Sequence, residues 1–237
     1  MSASSTVMAS PTVYNGPTFW ERLWRLSGIN FILFAVIAYV LYGSQPHVGA
    51  SADAVAAFYS GHSTRILIAA FVSGMGILNL LWFVAALRAT FADKGLDGWG
   101  AAVTIASAMV GGLFLLLLTI PAALAVSIAG SGNATLISGL NDFAWAGLVL
   151  TSFPRAMLIM AGSFGLWRSR LISDAQFGLG VAAIVLVLLG GAAWMRGGFF
   201  APDGMYSRII SPIIGLVWVL AVSSVLVRRS PATRAGW

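Results

Sequence analysis

Hydrophobic side chains in this sequence come in long unbroken runs rather than in alternation with polar ones. Six runs stand out: Ser27 to Gly43, Thr64 to Phe91, Trp99 to Gly130, Asp142 to Arg168, Asp174 to Gly197 and Tyr206 to Val227. A hydrocarbon core takes about 20 helical residues to cross, and each run reaches or approaches that length. The first run is the shortest, and Trp20, Trp24 and Leu26 extend it at the interface. Outer-membrane strands would alternate apolar and polar residues in segments of about ten, so continuous runs predict helices. The expected fold is all-α, a polytopic transmembrane bundle of six helices over residues 20–230, with tails at 1–19 and 231–237.

The longest external connection, Ser44 to Ser63, carries a helix signal of its own. Ser51 is placed to cap Ala52 to Tyr59, Asp53 falls in the first turn where the helix dipole favours an anion, and Gly61 ends the segment. This predicts a short external surface helix between spans one and two. Ser107 with Gly111, Gly74 with Gly76, Gly162 with Gly165, and the pair Gly190-Gly191 suggest close helix–helix approach. Gly74-x-Gly76 lacks the further glycine of a dinucleotide motif and lies inside a span, so it reads as packing.

Composition agrees with this pattern. Of 237 residues, 59% are hydrophobic and 8% charged, and the mean hydropathy of +0.92 is too high for a water-soluble domain of this length. Arg22, Arg25, Arg88, Lys94, Arg168, Arg170, Arg228, Arg229 and Arg234 fall on one side of the expected membrane, against Arg65, Arg196 and Arg208 on the other. Basic flanks stay in the cytoplasm, so both termini are predicted to be cytoplasmic. The net charge of +6 then comes from anchoring residues, and no basic stripe interleaved with aromatics calls for a nucleic-acid partner. The first 19 residues, rich in Ser, Thr and Ala with Pro11 and Pro17, read as a disordered tail rather than a cleavable signal. The absence of cysteine excludes disulfides, thiolate metal sites and a cysteine nucleophile.

One charge breaks the apolar pattern. Arg155 follows Pro154 near the middle of the fourth run, roughly 20 Å of helix from either end. A charge at that depth is costly and marks a functional-site candidate, and no Asp or Glu is expected in the bilayer to neutralise it. Pro154 allows either a continuous kinked helix or a broken one with Ser152 capping the second half. Asn79 and Thr119 come to similar depth on spans two and three. Arg155, Asn79, Thr119 and Ser152 therefore form a candidate ligand-binding pocket, with an interhelical hydrogen-bond clamp as the alternative. Trp82, Trp145 and Trp218 are deep enough either to fill the core or to line an apolar pocket.

On the external face, His47, His62, Asp53, Asp142 and Asp203 are residue types that suit a metal, but none has a recognised ligand spacing. No metal or cofactor is expected. Serine-nucleophile elbows and Walker loops are likewise missing from the sequence.

Several stretches resemble a group of bacterial six-span membrane proteins whose shared domain has no assigned activity. They are Arg25-Leu26-Ser27-Gly28, Pro46, Ala57-Phe58-Tyr59-Ser60-Gly61-His62-Ser63-Thr64-Arg65, Leu81-Trp82-Phe83-Val84-Ala85-Ala86-Leu87-Arg88, Asn141-Asp142 and Phe153-Pro154. The resemblance covers Arg25 to Val227 and implies six helices, but brings no substrate or catalytic residue. The resulting expectation is a non-catalytic protein of the bacterial cytoplasmic membrane, an accessory or lipid- or amphiphile-binding component with a membrane-protein partner or a second copy of itself. A small transporter using Arg155, or an intramembrane enzyme acting on a lipid-like substrate, are the alternatives.

Overall fold

The structure, a computed structural model, describes residues 19–228, with side chains from residue 26 onward. The expected tails at 1–19 and 231–237 lie outside the described residues, except that Phe19 begins the first helix, and the side chains of Trp20, Arg22, Trp24 and Arg25 lie outside them too. Every regular element described is helical. In order these are α1 (Phe19–Tyr42), α2 (Ala52–Gly61), α3 (Ser63–Ala92), α4 (Asp97–Phe114), α5 (Ile120–Ile128), α6 (Ala134–Leu150), α7 (Ser152–Arg168), α8 (Asp174–Gly190) and α9 (Ser211–Arg228). Single π-helical turns at Leu115–Thr119 and Tyr206–Ile210 join α4 to α5 and lead into α9.

Among the described residues, four helical stretches are long and apolar enough to cross a membrane: Ser63–Ala92, Asp97–Ile128, Ala134–Arg168 and Tyr206–Arg228. Leu26–Tyr42 and Asp174–Gly190 are apolar but shorter. Large apolar side chains point outward, as with Phe71 and Leu179, each 72% exposed. In water such a surface would drive aggregation, whereas lipid tails solvate it.

The helices close into a ring in which α1 packs on α3, α3 on α4, α4 on α7, α7 on α8, α8 on α9 and α9 back on α1. The half of the ring around α7 is filled. Phe83, Leu87, Phe91, Ile159, Leu166 and Trp218 form its core, with Phe83 and Trp218 edge to face at 6.4 Å. Glycine permits this density. A Cβ at Gly162 would lie 2.5 Å from the Trp218 ring, and Gly165 sits against Phe91 in the same way. The small residues proposed from sequence thus pack at Gly76, Gly111, Gly162, Gly165, Gly190 and Gly191, but Gly74 has no neighbour within 4 Å of a would-be Cβ.

The short helix expected after Ser51 forms, as α2. Ser51 Oγ accepts from the Ala54 N–H at 3.4 Å, and Val55 and Tyr59 are buried against Ala122, Ala125 and Ile137. Two span boundaries differ from the sequence reading. The helix of the fourth apolar run begins at Ala134 rather than Asp142, because Asn133 caps it by accepting from the Leu136 N–H at 3.2 Å. The fifth apolar helix ends at Gly190 rather than Gly197. The chain then folds back through an irregular stretch in which the Met195 N–H donates to the Phe200 carbonyl at 3.1 Å.

Candidate functional site

In contrast to the filled half of the ring, the half that faces α2 is hollow. A cavity of about 490 Å³ is enclosed by α1, α3, the α4–α5 junction, α6, α7 and α9. Its walls are mostly apolar, including Phe31, Ile77, Leu80, Val110, Trp145 and Trp218. Two arginines, Arg155 and Arg208, border it, and among the described residues no Asp, Glu or His does.

The geometry of Arg155 follows from the junction between α6 and α7. Pro154 has no N–H to offer one turn back, and the chain makes a single-residue turn at Thr151 before α7 begins. The Arg155 N–H still reaches the Thr151 carbonyl at 3.2 Å. The junction is thus a kink in a nearly continuous helix, and Ser152 does not cap a half-helix. The Thr151 carbonyl also accepts from Arg155 Nε at 3.2 Å, and Ser152 Oγ accepts from Nη2 at 3.0 Å. A guanidinium has five N–H donors. These two bonds leave Nη1 without a protein acceptor among the described residues. Arg155 keeps part of its surface accessible, and what it borders is the cavity.

Thr119 also lines the cavity, although its hydroxyl turns toward the Phe114 carbonyl at 3.4 Å within the π turn. Ser152 is buried behind Arg155 and positions it. Asn79 is elsewhere. Its amide donates to the Met75 carbonyl on its own helix at 2.8 Å, and it is absent from the cavity wall. The cavity face of α3 is Ala70, Ser73, Gly76, Ile77 and Leu80, so Asn79 has the expected depth but the wrong azimuth. Of the three deep tryptophans, Trp145 and Trp218 line the cavity, whereas Trp82 is 56% exposed.

Sequence reasoning missed Arg208, Tyr39 and Gln45, all of which border the cavity. Arg208 Nε donates to the Tyr39 hydroxyl at 3.3 Å, and the π turn that holds Arg208 left no legible signal in the sequence. Compared with known proteins, the chain matches no family model, no curated protein and no solved structure. The reading of its site therefore rests on its own geometry.

Most of the external polar residues hold the connection at 43–51 in place. Asp142 Oδ1 accepts from the Gly49 N–H at 3.4 Å, and Asp203 Oδ2 accepts from the Val48 N–H at 3.3 Å. His47 and His62 bond the carbonyls of Val48 and Phe58, each at 3.0 Å. Asp53 lies in the first turn of α2. Among the described residues no group of three or more His, Cys, Asp or Glu converges on a point.

Beneath this connection, Asn141 is fully buried. Its Oδ1 accepts from Gln45 Nε2 at 3.0 Å and from the Tyr59 hydroxyl at 3.3 Å. The Pro46 carbonyl accepts from Trp145 Nε1 at 2.8 Å and from Asn141 Nδ2 at 3.3 Å. Burial raises the Tyr59 phenol above its ordinary value of 10.0, only partly offset by hydrogen bonds with Tyr42 and Gln45.

Proposed function

We propose that this is an integral protein of the bacterial cytoplasmic membrane that crosses six times, keeps both termini in the cytoplasm, and holds a small anionic amphiphile in its central cavity without transforming it. The six-crossing topology is supported by the ring order, in which the two shorter apolar helices occupy the same kind of place as the four long ones. The likeness to six-span bacterial proteins in the motifs quoted above points the same way. A volume of about 490 Å³ suits one small ligand, since such sites run from about 300 to 1,000 Å³.

The observation that carries the proposal is Arg155. A clamp would spend all its donors on protein carbonyls or hydroxyls. Here part of a guanidinium borders an apolar cavity with no carboxylate in its wall. Leaving such donors unmet costs roughly 1–3 kcal/mol each, more for a charged group, and an anion removes that cost. The wall offers no carboxylate or imidazole for acid–base chemistry, which favours binding over catalysis.

The test is native mass spectrometry of wild type and Arg155→Leu extracted from the membrane in which they were expressed. The expected result is an amphiphile adduct on wild type that is lost from a variant of unchanged thermal stability. Equal adducts on both proteins, or none on wild type, would sink the proposal.

A further inference from the structure

Polarity along the cavity wall is graded in one direction on five of the segments that line it, while α6 contributes only Ala144, Trp145 and Leu148. On α1, Tyr39 and Tyr42 lie toward the α2 end and Phe31 lies deep; on α3, Ser73 precedes Ile77 and Leu80; on the α4–α5 span, Thr119 lies toward the α2 end and Val110 lies deep. On α7, Arg155 precedes Leu158 and Ile159, and on the last helix Arg208 precedes Trp218 and Val219. These five segments give the cavity a mouth that carries its charged and hydroxyl groups, beside the apolar Ala122, Ala144 and Leu148, and an apolar floor. The floor is closed by Trp218, whose Nε1 donates to Ser163 Oγ at 2.9 Å.

Two cations serve the polar part. A Cβ at Gly190 would lie 2.8 Å from Ser152 Oγ and 2.7 Å from Ser211 Oγ, which puts these two hydroxyls at one level. The Arg155 guanidinium, bonded to Ser152, is at that level too. Arg208 precedes Ser211 by one helical turn, about 5 Å nearer the mouth. The cavity thus presents two guanidinium groups at neighbouring depths and no carboxylate.

We infer that the ligand is a single-chain phosphate monoester, with its head engaged by Arg155 and Arg208 and its chain running inward over Phe31, Leu80, Val110, Leu158, Ile159 and Trp218. This rests on the amphiphile reading proposed above and narrows it. A phosphate monoester carries about −1.5 to −2 at neutral pH and three acceptor oxygens, which matches two guanidinium forks in charge and geometry. A carboxylate, with one charge and two oxygens, would leave one of the two guanidinium groups without an anion. The ammonium of a zwitterionic head would find no acid in the wall.

The test titrates the full chain, in a non-ionic detergent, with dodecyl phosphate, dodecanoate, dodecyltrimethylammonium and inorganic phosphate, following binding by calorimetry. Dodecyl phosphate is expected to bind about tenfold or more tighter than dodecanoate, and Arg208→Gln to weaken the phosphate amphiphile about tenfold with dodecanoate changed less than about threefold. Inorganic phosphate at millimolar concentration is expected not to compete, and Arg208→Lys, which keeps the charge, to recover part of the loss. Thermal unfolding of each variant confirms that it is folded. Equal binding of the phosphate and carboxylate amphiphiles, with Arg208→Gln silent, overturns the inference and leaves the amphiphile reading standing. Effective competition by inorganic phosphate overturns it in favour of a free anion. Tight binding of the ammonium amphiphile, or of none of the four probes, overturns both.

Discussion

Asn141→Leu removes the centre of the hydrogen-bonded cluster beneath the 43–51 connection while nearly conserving volume. The side chain makes four bonds: from Gln45 at 3.0 Å, from Tyr59 at 3.3 Å, and to the Pro46 carbonyl and Asp142 Oδ1 at 3.3 Å each. At a net 0.5–1.5 kcal/mol per bond the ceiling is about 6 kcal/mol. Two of the partners keep a second bond, since Tyr59 still meets the Tyr42 hydroxyl at 3.1 Å and the Pro46 carbonyl still accepts from Trp145 at 2.8 Å. The expected loss is therefore about 2–4 kcal/mol, and it falls on local opening of the connection rather than on the helical ring. That corresponds to an opening equilibrium raised about 30- to 700-fold. Hydrogen exchange at the amides of Val48, Gly49 and Ala50 measures it directly, because all three N–H groups are bonded in the closed form. Asn141→Asp retains the acceptor for Gln45 and Tyr59 and is expected to fall between wild type and leucine. Exchange in Asn141→Leu within about threefold of wild type would refute the reasoning, since it would mean the cluster does not hold the connection down.

Other perturbations probe the same physics elsewhere. Gly190→Val places branched carbon against Ser152 and Ser211, where even a Cβ would lie within 2.8 Å of both hydroxyls; it is expected to displace Ser152 from Arg155, cost about 1–3 kcal/mol in thermal stability and abolish the ligand adduct together. Gly162→Leu pushes into the Trp218 ring, 2.5 Å from the would-be Cβ, and is expected to destabilise by a similar 1–3 kcal/mol or somewhat more, read as a lowered midpoint in a detergent unfolding titration. The raised Tyr59 phenol makes a stability contribution that is complete below pH 10.0 and declines as pH rises from there toward the higher folded value, because the unfolded phenol ionises first. Tyr59→Phe is expected to flatten that decline in a thermal-unfolding series above pH 10.

What the sequence disclosed and what it hid divide along a physical line. Local chemistry was legible: Ser51 and Asp53 specified α2 within four residues, and a lone charge in an apolar run singled out Arg155. Azimuth was not. Asn79 and Thr119 were counted to similar depth, yet only Thr119 borders the cavity, since which face of a span turns inward is settled by packing against neighbours. The boundary at Ala134 was masked by Ser138, Asn141 and Asp142, which look like a loop but continue the helix because Asn133 caps it. Arg208 was counted among external anchors, and only the π turn at Tyr206–Ile210 together with its bond to Tyr39 shows that it borders the cavity.

The hollow half and the filled half of the ring meet near the turn at Thr151. α6 leans toward the π turn at Leu115–Thr119, where Gly147 lets the Leu117 side chain and carbonyl come against its backbone. Below the bend, α7 instead meets α4 and α8, and Gly162 and Gly165 admit Trp218 and Phe91. Three glycine contacts thus hold α6 and α7 against different neighbours on the two sides of Pro154, and the cavity borders Thr151 and Arg155 between them. Pro154 leaves the Leu150 carbonyl without its N–H partner four residues on, while the Thr151 carbonyl accepts from both the Arg155 N–H and Arg155 Nε, at 3.2 Å each. The turn at Thr151 therefore positions the cation beside the cavity. That coupling is a stronger argument for a binding role than the arginine alone, because a packing clamp would gain nothing from the space.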